Sequence, residues 1–317
     1  MPSVGVVLGA GGVVGAAYHA GVLTALAEAG FDARDAELIV GTSAGSAVGA
    51  TLRAGFPPLD LTPRSLGEPV SDEAAAIVGR TDGPLSLDLR PRPFSRSPVP
   101  ASPKLLLRLP LHPAKALAGL LPTGTIATNV IGERISRMYG DRSWPERPLW
   151  ICAVDLEDGD RVVFGRDAPE ANVGVAVQAS SSIPGLFRPV EHGGRRYVDG
   201  GVHSPTNADL LADQGFDIVV VVSPMSATRR AHGTRLPNAR PLHSRRLANE
   251  VDRLRQFGTE VLTFQPTSDV VATMGRNAMA SARRAPTTRV ALASARKRLN
   301  DPQVSKRLEL LRAASAA

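Results

Sequence analysis

Apolar residues in this chain cluster in short unbroken runs, separated by glycine-rich turns and by stretches with helical spacing. Val4–Leu8, residues 38–40, Ile218–Val222 and residues 261–264 are too short for helices and show little polar alternation. That is the pattern of strands buried on both faces, as in a parallel sheet. Between them the apolar positions recur every three or four residues. Val22, Leu23 and Leu26 fall on one face of a predicted helix over residues 16–29. Ile131, Ile135 and Met138 do the same over 125–139, and Leu247, Val251 and Leu254 mark a further helix. Near the end, Asp301-Pro302 reads as a cap before a stripe of Val304, Leu308 and Leu311, expected to be core packing. No internal repeat interrupts this order.

Two strand-to-helix junctions carry candidate chemistry. The run 38–40 leads into Gly41-Thr42-Ser43-Ala44-Gly45, and residues 44–52 read as a helix of small side chains. A Gly-x-Ser-x-Gly in this position places a serine on a sharp turn, with its hydroxyl exposed and the next helix N-terminus behind it. The pattern is also compatible with a plain structural turn. The other junction follows Val4–Leu8, where Gly9, Gly11, Gly12 and Gly15 leave bare amides at the start of a helix. Such a loop suits an anion. A dinucleotide pyrophosphate is disfavoured because the spacing is Gly-x-Gly-x-x-x-Gly and no acid ends the next strand. An oxyanion formed at Ser43 fits better, since neighbouring parallel strands put this loop beside the serine.

A nucleophilic serine needs a base. Of the six histidines only His203 lies in a suggestive place. More prominent is Asp199, followed by Gly200 and Gly201 at the end of an apolar segment, and preceded by residues 179–189, Ala-Ser-Ser-Ser-Ile-Pro-Gly-Leu-Phe-Arg-Pro. An aspartate before two glycines also serves as a turn cap. Taken in order, the glycine loop, Gly-Thr-Ser-Ala-Gly, the 179–189 block and Asp-Gly-Gly resemble the patatin-like phospholipases, over roughly residues 4–223. The resemblance implies a three-layer α/β/α sandwich around a mainly parallel sheet. It implies Ser43 as nucleophile, Asp199 as base of a Ser-Asp dyad without histidine, and the Gly11 and Gly12 amides as oxyanion hole. One departure stands out: Val14 occupies the glycine loop where family members often carry Arg or Lys.

Composition narrows the partners. The 317 residues read as a single domain, and no apolar run approaches the roughly 18 residues of a membrane-spanning helix. The N-terminus lacks the basic segment of a signal peptide. A lone cysteine, Cys152, sits in the apolar run 149–154 and reads as a buried thiol, which fits a reducing compartment and a cytoplasmic location. No metal-ligand spacing occurs, so neither metal nor cofactor is expected. The net charge of +7 points to acidic partners. With 4% aromatic residues and no nucleic-acid-binding motif, nucleic acid is not expected. Arginine pairs at 229–230, 245–246 and 283–284 and the basic triplet 296–298 read either as solvated helix faces or as contacts to an anionic membrane surface.

One region departs from the alternation. Residues 57–122 hold 13 of the 26 prolines, and only their end shows helix signals, at 104–109 and from Pro113 into 114–121. The segment reads as a lid or membrane-contacting insertion, as a packed cap, or as a linker. The resulting expectation is a serine lipid acyl hydrolase acting on fatty acyl esters. Its alternatives are an acyltransferase using the same acyl-Ser43 intermediate and a non-catalytic lipid-binding protein.

Overall fold

The computed structural model describes residues 1–79, 101–103, 105, 113–167, 171–228 and 239–316. Its strands are β1 (Val4–Leu8), β2 (Leu38–Thr42), β3 (Leu149–Asp155), β4 (Arg161–Phe164), β5 (Val190–His192), β6 (Arg195–Asp199), β7 (Ile218–Val222) and β8 (Glu260–Phe264). Its α-helices are α1 (Gly12–Glu28), α2 (Ala44–Arg53), α3 (Leu61–Leu66), α4 (Asp72–Val78), α5 (Pro113–Leu120) and α6 (Asn129–Tyr139). They continue as α7 (Val173–Ser180), α8 (Arg240–Gln256), α9 (Ser268–Met274), α10 (Arg284–Leu299) and α11 (Ser305–Ser315). The strands form one sheet whose parallel centre runs β3-β2-β1-β7-β8. β4, β5 and β6 add antiparallel pairings.

Each central strand is apolar on both sides because both are covered. Val6, Leu8, Ile39, Val220 and Leu262 pack on one face against α1, α2, α10 and α11. Val7, Val40, Val219, Val221 and Val261 pack on the other against α8 and the turn 208–211. The molecule is thus a three-layer α/β/α sandwich, as expected. α1 is buried on almost every side, because α10 covers the face turned away from the sheet. The stripe of Val304, Leu308 and Leu311 is buried core.

Several boundaries differ from the sequence pattern, for identifiable reasons. α1 begins at Gly12, not residue 16, and takes in half of the glycine loop. Glycine's poor helix propensity is overridden by tertiary anchoring: the Val14 amide donates to the Ala278 carbonyl at 3.1 Å. β2 runs past residue 40 because Gly41 and Thr42 pair with Ile151 and Cys152. The helix expected from residue 125 starts at Asn129, and Ala208–Leu211 forms a single 3-10 turn. β4 and β6 open on arginines and β5 is only Val190-Glu191-His192, so the three give little strand signal.

The proline-rich stretch is not uniform. Its first part is core: Leu61, Ala74 and Ile77 are buried among the residues packed on α1. α5 forms where Pro113 announced it, while the helix expected over 104–109 lies outside the described residues.

Candidate active site

β1 and β2 are parallel neighbours, so both end at the same edge of the sheet, and the helix following each starts there. Ser43 occupies the turn between β2 and α2 with φ 54° and ψ −119°, a conformation rare for any residue but glycine. The turn is held closed at close quarters. A Cβ on Gly45 would overlap the Leu8 carbonyl, so only glycine lets α2 start against the end of β1. The Ser43 carbonyl accepts the Ser46 amide and hydroxyl at 3.0 and 2.6 Å, capping α2 from within.

Asp199 arrives from an antiparallel strand. β4 occupies one edge of β3 along Ile151–Val154, so β2 and β6 must share the other. β2 uses that edge as far as Thr42 opposite Cys152, and β6 takes over with Asp199 opposite Ala153. One register step therefore separates Asp199 from Thr42, which brings it to Ser43. Both side chains are buried, Ser43 to 4% and Asp199 to 6% exposure. Burial pushes the Asp199 carboxyl up to about 6, while hydrogen bonds from the Ser43 hydroxyl and the Gly201 amide, the latter at 2.7 Å, pull the other way.

The glycine loop completes the cluster. The Gly9 and Ala10 amides are spent on the Val222 and Pro205 carbonyls at 2.9 and 2.7 Å. The Gly11 and Gly12 amides have no protein acceptor among the described residues. Gly12 has φ +61° and lies against the Ala278 carbonyl, a place closed to a Cβ. Val14 is buried, so no cation stands at that position of the loop. His203 does not join the pair. Burial, then Arg161, Lys115 and Arg246, push its imidazole down to about 3.

Three supports escaped the sequence pattern. Ser180 accepts the Ser43 amide at 2.8 Å and donates to the Cys152 carbonyl at 2.6 Å, while the Ser182 carbonyl accepts the Asp199 amide at 3.0 Å. A single segment thus fastens both members of the pair; its serine triplet was visible, its bonding was not. His19, fully buried, meets the Gly9 carbonyl through Nε2 at 2.7 Å. Burial pushes its imidazole down to about 4, so it stays neutral and Nε2–H donates. Glu250 on α8 accepts the Ser204 and Thr206 hydroxyls at 2.5 Å each and the Ala208 amide at 3.0 Å. The loop it grips donates Asn207 Nδ2 to the Thr42 hydroxyl at 3.0 Å and offers the Pro205 carbonyl to Ala10. Nothing in the sequence around Glu250 separates it from the solvated acids of α8.

Glu250→Ala would leave two hydroxyls and an amide buried without partners, each worth about 1–3 kcal/mol. We expect it to lower thermal stability by several degrees and ester hydrolysis with it, read by a melting curve and a rate on the same sample. Unchanged melting would show that the loop stands without this carboxylate.

A family model described as patatin-like phospholipase matches residues 6–212. Two uncharacterized NTE family proteins, from Mycobacterium tuberculosis and Mycobacterium bovis, are each 30% identical over 224 residues, covering 70% of this chain and 49% of theirs. The chain spans about half the length of these relatives. Among solved structures, VipD from Legionella pneumophila is similar over 92% of this chain and 67% of its own, at 14% identity and a TM-score of 0.39.

Proposed function

Because the chain belongs to the patatin-like phospholipase family, we propose that it is a serine hydrolase of fatty acyl esters, with Ser43 as nucleophile and Asp199 as base. The observation that carries this reading is a buried carboxylate, Asp199, one register step from the strand that ends at Ser43, with its proton affinity raised by burial. An ordinary carboxylate is too weak a base for an alcohol, and a group near 6 is better matched while remaining mostly ionised at pH 7. As Ser43 Oγ attacks the ester carbonyl, its proton passes to Asp199. The carbonyl oxygen becomes an anion, which the open amides of Gly11 and Gly12 receive. The N-termini of α1 and α2 add favourable potential there. Asp199 returns the proton to the departing alcohol, leaving acyl-Ser43. Water then surrenders a proton to the same carboxylate and attacks the acyl carbon; the acyl–Oγ bond breaks, Ser43 Oγ takes the proton back from Asp199, and the fatty acid leaves.

The pH dependence tests the assignment. Only ionised Asp199 accepts the proton, so kcat/KM is expected to fall about tenfold per unit below an inflection near pH 6 and to be flat above it. An inflection near 4 would mean that the base is a solvent-exposed carboxylate elsewhere. The same p-nitrophenyl ester series, from acetyl to palmitoyl, reads chain-length preference; lipid as substrate class requires better rates for the longer chains.

A further inference from the structure

Two arginines on the α1 side of the sheet are paired with carboxylates: Arg34 with Asp32 and Glu73, and Arg296 with Glu28. Arg64, Arg134 and Arg284 have no carboxylate partner among the described residues, and Arg64 stands in the field of the other two. Burial, then Arg134 and Arg284, push the Arg64 guanidinium down to about 10, and it lies over the ring of Phe56 at 5.0 Å. Like charges gathered without a counter-charge oppose folding unless an anion is shared between them.

These three arginines border a cavity of about 430 Å³ between α1, α2, α3 and α6. That lies within the roughly 300–1,000 Å³ typical of small-molecule sites. Its walls are apolar, with Ala16, Ala20, Ala47, Val48, Ile135 and Met138 among them. It starts close to the candidate active site. Ala16 follows Gly12 by four residues and Ala47 follows Ser43 by four, so the cavity begins about one helical turn, roughly 5.4 Å, behind both. Arg284 lies near the same end, whereas Arg64 reaches over Phe56, just past the C-terminus of α2. α10 follows α1 in the same direction, since Gly12 adjoins Ala278 and Gly21 adjoins Thr288 and Leu292. Arg284, one turn before Thr288, is therefore level with Ala17.

We infer that this groove is a binding site for an anionic phospholipid, with an acyl chain between α1, α2 and α6 and the phosphate at Arg64, Arg134 and Arg284. The inference rests on the hydrolase reading for its choice of ligand. A phosphodiester brings two anionic oxygens, as a carboxylate does, and adds ester and headgroup oxygens that a third guanidinium can engage. In a phosphoglyceride the phosphate and the acyl esters hang from one glycerol. A phosphate held at the Arg284 end of the groove leaves an ester facing Ser43.

The test measures binding separately from turnover, with the full chain carrying Ser43→Ala and monomeric lysophosphatidylglycerol or lysophosphatidylcholine of equal chain length, by titration calorimetry. Lysophosphatidylglycerol is expected to bind at least tenfold more tightly, and added salt should erase the difference. Adding Arg134→Gln and Arg284→Gln together should weaken the anionic lipid by roughly tenfold or more and the zwitterionic one much less. Arg134→Lys with Arg284→Lys should recover most of that loss, which a misfolded protein would not. Ala47→Leu, which narrows the groove without altering charge, should weaken both lipids alike. Equal affinity for the two lipids, or an unaltered preference in the double glutamine variant, overturns the site. Ester hydrolysis by the wild-type chain is read in parallel. Charge-dependent binding without any hydrolysis overturns the hydrolase reading alone; hydrolysis without charge-dependent binding overturns the groove alone.

Discussion

Ser43→Ala is expected to reduce the hydrolysis of every p-nitrophenyl ester, from acetyl to palmitoyl, by roughly 10³-fold or more. The size follows from the chemistry: without Oγ no acyl-enzyme forms, and the glycine-loop amides have no covalent oxyanion to stabilise. The backbone supplies a second readout. Ser43 sits at φ 54°, where an L side chain is strained and glycine is not. Ser43→Gly should be as inactive as Ser43→Ala but more stable by about 1 kcal/mol, visible as a higher melting temperature. Strain at a turn that only the nucleophile requires is a mark of function maintained against stability. If Ser43→Ala retains the wild-type rate, the turn is structural and the hydrolase reading fails.

Asp199→Asn should separate activity from stability in the same way, and with a definite pH signature. Activity should fall by two orders of magnitude or more, because asparagine cannot take the serine proton. Stability should rise. Burial lifts the carboxyl from its ordinary 3.8 to about 6, so the folded chain binds that proton more tightly than the unfolded one. Ionisation at neutral pH then penalises the fold by roughly two units at about 1.4 kcal/mol each, on the order of 3 kcal/mol. The penalty is complete above pH 6 and gone below pH 4. Asparagine removes it while keeping an oxygen for the Gly201 amide. The variant should therefore exceed the wild type most at pH 7 and converge with it near pH 4. A wild-type chain more stable than Asp199→Asn at pH 7 would mean that the carboxylate is a structural partner, not a base held under strain. His203→Ala serves as the contrast and should leave most of the rate, because its imidazole is held neutral and forms no bond to Ser43.

The glycine loop shows how a legible motif can still mislead about extent. Its residues announced a turn at the end of β1, and the turn is there. Yet α1 absorbs Gly12 and the residues after it, because the Ala278 carbonyl, more than 260 residues away, anchors the first helical turn. The proline-rich stretch is the less legible case. Its composition left lid, packed cap and linker open, and at its start Leu61, Ala74 and Ile77 join the core cluster that includes α1. The order of the chemistry-bearing segments was likewise readable along the chain, whereas the contributions of Glu250, His19 and Ser180 were not. Each of these acts on a backbone or hydroxyl group distant in sequence, and no local pattern marks such a partner.

What the sequence determined by itself was the parallel sheet, the two strand-to-helix turns at its edge, and the residue types able to do ester chemistry there. Runs of β-branched residues and glycines at tight turns have local causes, and local causes are written in neighbouring positions. Only the tertiary structure decided that Asp199 reaches Ser43, through two strands sharing one edge of β3. It alone raised that carboxyl by burying it, closed the Gly9 and Ala10 amides while leaving those of Gly11 and Gly12 without an acceptor among the described residues, and gathered three arginines that have no carboxylate partner there around one groove. Proton affinity, open donors and uncompensated charge depend on what surrounds a group in space, and those surroundings come from every part of the chain.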